Sequence, residues 1–462
     1  MDPAVDAWLE WADVAHVWWM RRAHGARASE GRLAELVQHA REHSPLFRQL
    51  LAGVPHAASL HALPVTTKSA LMPLFDAWCT DRRVRRDAVD AFLADRSRIG
   101  DRFLGRYSIW KTSGTSGTPG IFVQDPHALA VYEALVLDKF GAMRLDTGRV
   151  AAAGARRALV CASEDHFASV ALWRHLERVS PTARALACSV LSPMADTVAR
   201  LNAFAPAFLA AYPSVLVLLA REQRAGRLRI APALAWSGGE HLGAPAQAEI
   251  ESAFGCPVIN EYGASECLCI AHACREGWLH VNEDWVIVEP VEADGSPTAA
   301  GRTSHSVLVT NLANHMQPII RYDLGDRVTV RGSPCPCGDP TTALRVEGRT
   351  DDTLELPGRD GALHALAPMA LTTVLDETCG EHRYQLVQRN KACVSLRLPR
   401  ELAPAERARI GLRSVRALHA LLEAHGFGRV QVELDASGPR ADAASGKLKT
   451  VVARPCRTAA AH

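Results

Sequence analysis

The sequence predicts an α/β protein: a large N-terminal α/β region with a β-rich subdomain, followed by a small mobile C-terminal α+β domain. Three observations predict it. Between residues 127 and 290, short apolar runs alternate with helical patterns. From 284 to 332, β-branched runs separated by Gly and Pro replace that alternation. From 353 to 462, strand-like segments accompany one long helical stretch, on the scale of a separate small domain.

Residues 1–60 read as helical. Trp8, Trp11, Val14, Val17 and Trp18 recur at three- and four-residue spacing, as do Leu33, Leu36, Val37 and Ala40. Leu63-Pro64-Val65-Thr66-Thr67-Lys68 opens a new segment, with Thr66 or Thr67 as a helix cap. Buried strands are expected at 158–162, 207–212 and 257–262, with a helix from 214 to 225 between the last two. The β-rich part comprises 285–291, 306–311 and 327–331. In the C-terminal region, 384–387, 394–398 and 430–434 read as strands around a helix near 403–425. The Ala-, Ser-, Gly- and Pro-rich stretch 435–446 reads as a mobile loop. These segments divide the chain into an N-terminal domain (1–347), a hinge (348–352) and a C-terminal domain (353–462).

The 462 residues are 48% hydrophobic and 22% charged, with a formal net charge of +2. That balance excludes nucleic-acid or membrane binding driven by charge. No basic segment precedes an apolar run at the N-terminus. The apolar stretch 204–220 is interrupted by Pro206 and Pro213. A cytoplasmic protein is therefore expected, and its 12 Cys read as reduced thiols or metal ligands.

The sharpest motif is Thr112-Ser113-Gly114-Thr115-Ser116-Gly117-Thr118-Pro119-Gly120. Small side chains let backbone N–H groups approach phosphate oxygens, and the hydroxyls add donors. No Gly-Lys-Ser/Thr ends it, so it is not a Walker loop. Taken alone it also suits a surface linker.

It is not alone. In order along the chain stand Ala211-Tyr212-Pro213-Ser214, Ser237-Gly238-Gly239-Glu240, Glu261-Tyr262-Gly263-Ala264-Ser265-Glu266, Arg321-Tyr322-Asp323-Leu324-Gly325-Asp326, Gly348-Arg349-Thr350-Asp351-Asp352 and Ser445-Gly446-Lys447. With the early Ser44-Pro45-Leu46-Phe47 and Leu63–Lys68 strings, this series resembles the adenylate-forming superfamily of acyl-CoA synthetases, adenylation domains and luciferases. Within it, the match is to the phenylacetate-CoA ligase-like family and covers almost the whole chain.

The resemblance implies ATP, Mg²⁺ and coenzyme A as reactants or cofactors, and an acyl-AMP intermediate. It implies that residues 112–117, Gly239, Glu240, Glu261, Tyr262, Gly263, Ser265, Asp326 and Arg349 bind ATP or AMP. Tyr262 would stack on adenine, Ser265 would bond the AMP phosphate, Asp326 the ribose hydroxyls, and Arg349 the ribose or phosphate. Glu266 would hold Mg²⁺, which suits a hard carboxylate oxygen. Lys447 would bridge the acid and the α-phosphate in the first step. Asp351 would be the hinge. Tyr212, Trp236, Ser237 and Gly238 would line the acid pocket, which the family points to as aryl or arylacetic. Each residue also has a plain alternative: a packed aromatic, a turn residue or a surface charge. The superfamily's loop often carries Lys after its Pro; here that residue is Gly120. The acceptor is expected to be coenzyme A, with a carrier-protein thiol, an amine or a phenolic coenzyme as alternatives. A silent nucleotide-binding protein is the reading from another class. Homodimers are common among the proteins it resembles.

Cys335-Pro336-Cys337-Gly338, with Cys274 and His280 upstream, suits a closed tetrahedral zinc site of structural type. Cys267, Cys269 and His272 are rivals that more naturally pack beneath the nucleotide site. Simple burial of all these thiols is the plain alternative.

Overall fold

In a computed structural model of the chain, the described residues are 3–24, 29–56, 59–112, 119–142, 146–162, 165–179, 184–239, 242, 244–346, 354–366, 368–379, 384–440 and 451–453. Among them, no helix is long and apolar enough to cross a membrane.

Strands Arg157–Cys161, Ala185–Ser189, Phe208–Ala211, Leu234–Ser237 and Val258–Ala264 pair in parallel. Their apolar runs leave Ala158, Val160, Leu209 and Ala235 almost fully buried, as a parallel sheet covered on both faces requires. Helices Met194–Phe204, Pro213–Arg224 and Ala244–Phe254 carry the chain between strands. Pro213 opens its helix in the first turn, where a missing N–H leaves no bond unmade.

At Val258–Ala264 the sheet changes hand. The next strand, Cys267–Ala273, folds back antiparallel, and Leu279–Val281 pairs with it in turn. Ala343–Val346 and Val328–Val330 complete a nine-stranded mixed sheet among the described residues. A separate antiparallel sheet contains Val286–Val291, Ser306–Asn311 and Ile319–Asp323. This is the β-rich region that the Gly- and Pro-punctuated runs predict.

The C-terminal part is α+β, as expected. Gln385–Asn390, Cys393–Arg397, Gln431–Asp435 and Val451–Val452 form a four-stranded sheet. Helices Pro368–Cys379 and Pro404–Ala424 pack on each other, and Leu386, Leu396, Leu418 and Leu421 lie in the buried core. Leu366, Ala370 and His425 meet Val160 of the large sheet, Val190 just beyond its edge strand and Val215 of the helix Pro213–Arg224 around a small cavity. The His425 ring Nε2 lies 3.1 Å from the Val190 carbonyl.

Two features depart from the sequence reading. The mobile loop expected from residue 435 does not begin there. Asp435 ends a strand and accepts bonds from the Ser437 N–H and hydroxyl at 2.8 Å each. The Gln385 side chain then holds both the N–H and the carbonyl of Arg440, at 3.2 and 2.9 Å. Residues 441–450 lie outside the described set. In addition, a short hairpin of Ser108–Lys111 and Ile121–Gln124 flanks the Thr/Ser/Gly loop. Its four-residue strands are too brief to give a clear alternation.

Candidate functional site

The hairpin of Val258–Ala264 and Cys267–Ala273 organises the site. Its register shifts between Tyr262 and Ala264, at Gly263. A Cβ placed on Gly263 would fall 1.8 Å from the Leu268 carbonyl oxygen, so only glycine lets the two backbones approach this closely. The tight bulge delivers Tyr262, Ser265 and Glu266 within one turn.

Each is held by a different neighbour. The Tyr262 hydroxyl donates to Asp326 Oδ2 at 2.9 Å. The Tyr322 hydroxyl donates to Glu266 Oε1 at 3.0 Å. Asn311 Nδ2 donates to the Glu266 carbonyl at 3.1 Å and to the Tyr132 hydroxyl at 2.7 Å. The Trp110 indole N–H donates to the Ser265 carbonyl at 2.8 Å. Glu266 and Asp326 are both buried, so each carboxylate depends on such donors. Burial raises the Tyr132 phenol well above its ordinary range.

Trp110 also ties this hairpin to the Thr/Ser/Gly loop two residues further on. Thr112 closes the mouth of that loop. Its N–H donates to the Gly120 carbonyl at 2.9 Å, and its hydroxyl accepts from the Gly120 N–H at 2.8 Å. Of the other expected residues, Ser113, Gly114, Thr115, Ser116, Gly117, Glu240, Arg349, Asp351 and Lys447 lie outside the described residues.

The expected acid-pocket residues stand on the neighbouring strand ends. Gly239 has φ +85°, and a Cβ there would sit 3.1 Å from the Tyr212 ring, so the backbone abuts that ring. The Tyr212 hydroxyl accepts from the Ala162 N–H at 3.3 Å. Gly238 is half-buried beside it. The Ser237 hydroxyl is fully buried and has no hydrogen-bond partner among the described residues, an orphan polar atom at this position. Trp236 faces the Lys139 ammonium, 5.8 Å from the ring centroid. Lys139 in turn forms a buried ion pair with Glu261. Glu261 thus lies on the opposite strand face from Tyr262: it pairs with Lys139, whereas Tyr262 bonds Asp326.

The Cys/His expectation converges. The ligand atoms of Cys274, His280, Cys335 and Cys337 all lie within 4.8 Å of one another. Cys274 Sγ and Cys335 Sγ are 3.8 Å apart, and Cys337 Sγ is 3.3 Å from His280 Nε2. Tetrahedral zinc with Zn–S of about 2.3 Å and Zn–N of about 2.0–2.1 Å requires edges of roughly 3.8 and 3.6 Å. The donor set therefore fits the ion. His280 Nδ1 faces Thr341 Oγ1 at 3.1 Å and Asp339 Oδ1 at 3.5 Å, leaving Nε2 toward the thiols. Burial raises the Cys335 thiol, but the Cys337 N–H and bonds within the cluster outweigh it and bring it down to about 7. Cys267 and Cys269 are buried beneath the hairpin, as their rival reading has it, and burial drives both thiols far up.

Sequence reasoning missed Tyr322, Asn311, Trp110 and Lys139. Tyr322 stood inside a quoted string, but nothing in its spacing showed which carboxylate it would meet. The other three act from strands and a helix far away in sequence.

No protein-family model matches the chain. Protein CapK of Staphylococcus aureus is 26% identical over 163 residues, a match spanning 34% of this chain and 34% of CapK. Among solved structures, 2-hydroxyisobutyryl-CoA ligase with 2-HIB-AMP and CoA in the thioesterification state superposes with a TM-score of 0.58 at 21% identity. That match covers 93% of this chain and 90% of the ligase. An open conformation of the same ligase gives 0.54 at 20% identity, over 93% and 92% of the two chains. The chain therefore has the fold of an adenylate-forming ligase, with its large N-terminal and small C-terminal portions.

Proposed function

We propose that this chain is an ATP-dependent, AMP-forming acid–thiol ligase that works through an acyl-adenylate. The observation that carries the reading is the placement of Tyr262, Ser265 and Glu266 together at one hairpin, with Asp326 bonded to Tyr262 and with Trp110 joining the hairpin to the start of a Thr/Ser/Gly loop. Such a group supplies an aromatic face, a hydroxyl and two carboxylates beside the start of a Gly- and hydroxyl-rich segment assigned to the phosphates. That is what a nucleotide needs.

In the first step a carboxylate oxygen of the acid bonds to the α-phosphorus. The bond to the bridging oxygen of the β-phosphate breaks, and pyrophosphate departs with the electron pair. Lys447 is assigned to bridge the two anions. Glu266 is assigned to hold Mg²⁺, which when bound offsets phosphate charge. Asp326 is assigned to the ribose, and Arg349 to the ribose or the phosphate. In the second step a thiolate sulfur bonds to the acyl carbon and AMP leaves. AMP is a good leaving group, so no nucleophilic side chain is called for. Asp351 is assigned to the hinge between the steps. Cys274, His280, Cys335 and Cys337 are assigned to a structural zinc ion that joins the 335–337 loop to the Cys274 turn.

The acid is read as aryl or arylacetic and the acceptor as coenzyme A. The test is pyrophosphate release from MgATP across aryl, arylacetic, fatty, amino and short 2-hydroxy acids, with and without coenzyme A. The last class is included because the superposed ligase is named for 2-hydroxyisobutyrate. An aromatic acid that triggers release, followed by AMP and a thioester when coenzyme A is added, is the expected result. Release without a coenzyme A effect would move the acceptor to a carrier thiol or an amine. Nucleotide binding with no release for any acid would refute the ligase reading.

A further inference from the structure

Four histidines that the ligase reading leaves unused stand in one row. His43 and His39, four residues apart on the helix Ser29–His43, have ring centroids 4.3 Å apart. His39 is 5.2 Å from His315, which lies in the turn between the strands Ser306–Asn311 and Ile319–Asp323. His315 is stacked at 6.4 Å on His127, in the first turn of the helix Pro126–Ala142. His127 ends the row edge-on to Trp285 at 5.4 Å. Three segments distant in sequence thus meet through imidazole rings. Neutral rings pack on one another as small aromatics, whereas imidazolium ions at these distances repel.

The charges that face the row do not balance several added protons. His39 faces His315 and His43, with Asp125 and Glu42 as its anions. His127 faces His315 and Arg32, with Asp125 and Asp13 as its anions. Arg32 is a standing cation, 3.7 Å from the centroid of the Trp285 ring. Glu42 and Asp13 are exposed, so water and salt screen them. Asp125 is buried and already engaged: its Oδ1 accepts from the Ala128 N–H at 2.8 Å and its Oδ2 from the His315 N–H at 2.9 Å. One carboxylate offsets one proton, and further protons on the row go unmatched. Burial, and then His315 and His43, hold His39 below the ordinary histidine range.

The turn that carries His315 supports the nucleotide site. At its start, Asn311 donates to the Glu266 carbonyl. Asn314 Nδ2 donates to the Val123 carbonyl at 2.8 Å, and Gln317 Oε1 accepts from the Val123 N–H at 2.8 Å. Gln317 Nε2 donates to the Ile121 carbonyl at 3.2 Å, and the Thr80 N–H donates to the Met316 carbonyl at 2.9 Å. A shift of residues 312–318 therefore disturbs the strand Ile121–Gln124 and the residue that fixes Glu266.

We propose that His39, His43, His127 and His315 form a proton-sensitive brace: neutral, they hold the helix Ser29–His43 against the 312–318 turn, and on taking up more than one proton they repel, loosen the turn and lower the activity of the site it supports. Only that last clause rests on the ligase reading. The folded chain disfavours the charged form of His39 more than the unfolded chain does, so the stability it contributes is complete above about pH 6.5 and is lost as the pH falls below it. The test is histidine NMR titration of the full chain, with the His39 signal assigned by its loss in His39→Gln. His43 is exposed, so His43→Gln keeps the fold while removing one neighbouring charge. His43→Gln and His315→Gln should each move the His39 midpoint upward, a coupling that a merely structural role would not produce. Deuterium uptake at 312–318, corrected for the intrinsic effect of pH, should rise in the wild type between pH 7.5 and pH 5.5 and rise less in His39→Gln/His315→Gln, which cannot charge at two of the four positions. The double variant should also keep a larger share of its neutral-pH pyrophosphate release at pH 5.5. A His39 midpoint unmoved in both single variants would overturn the proposal, as would equal pH dependence of uptake in wild type and double variant. Should no acid ever trigger pyrophosphate release, the ligase reading falls, while the titration and the uptake still decide for or against the brace.

Discussion

Replacing Gly263 by alanine tests the central hairpin more sharply than replacing any side chain. The new methyl carbon would sit 1.8 Å from the Leu268 carbonyl oxygen and 2.7 Å from its carbon. Both obstacles are backbone, so no rotamer change relieves them. The gap must open to at least 3.0 Å, the limit below which such contacts are essentially never seen. Moving a strand by more than an ångström takes its ladder bonds out of hydrogen-bond range. Two lost bonds plus overpacking amount to roughly 3–5 kcal/mol. Ser265 and Glu266 follow directly on the turn and move with it, and a misplacement of this size costs about 100-fold in rate. The assay is acid-dependent pyrophosphate release, with a melting curve and circular dichroism to show that the chain is folded. A Gly263→Ala protein within threefold of wild-type activity would refute the argument that this close approach sets the site.

Other outcomes follow from the same geometry. Lys447→Ala should abolish pyrophosphate release yet spare thioester formation from supplied acyl-AMP; unchanged adenylation would remove Lys447 from its role. Asp351→Pro should impair thioester formation more than adenylation, and equal loss of both would count against the hinge. Purified, unchelated protein should carry about one zinc per chain, and Cys337→Ser should lose it and melt several degrees lower; metal analysis showing none in the wild type ends the zinc assignment. Burial holds His166 below the ordinary histidine range. Such a group stays neutral in the folded chain while the unfolded chain takes up a proton, so stability should fall as pH drops below about 6.5. Melting temperatures from pH 8 to pH 5 check this, and a flat profile would contradict it.

Much of the fold was legible because its signals are local. The parallel strands read as apolar runs, since burial on both faces removes any need for polar alternation. Of the two caps the sequence offered, Thr66 and Thr67, Thr67 starts the helix, its side chain accepting from the Ala70 N–H. The four metal-ligand candidates were legible because Cys-x-Cys beside a Cys/His pair is rare in composition. The strand Cys267–Ala273 was not foreseen, because Cys, Ala and His carry little β-propensity and its pairing comes from the hairpin. The contacts that orient the carboxylates were hidden for another reason. Tyr322 reaches Glu266 across 56 residues, and Asn311 reaches the same residue across 45. Such pairings depend on sheet topology, which a local pattern does not encode. Glu261 shows the limit of motif reading: its neighbour Tyr262 meets Asp326, but strand alternation sends Glu261 itself to Lys139.

The three-stranded ladder behind the site also restricts how the chain can change length. Glu261 is opposite His272, and His272 is opposite His280; in the adjacent row, Tyr262 is opposite Ala271 and Ala271 is opposite Val281. One row ends at a metal-ligand candidate, and the other begins at the tyrosine of the nucleotide site. Deleting a single residue from the middle strand would exchange the two rows, because side chains alternate with a period of two. Tyr262 and His280 would then lose their partners together. Length variation among viable sequences should therefore be absent from 258–281 and confined to surface turns such as 292–296, where a residue more or less changes no row.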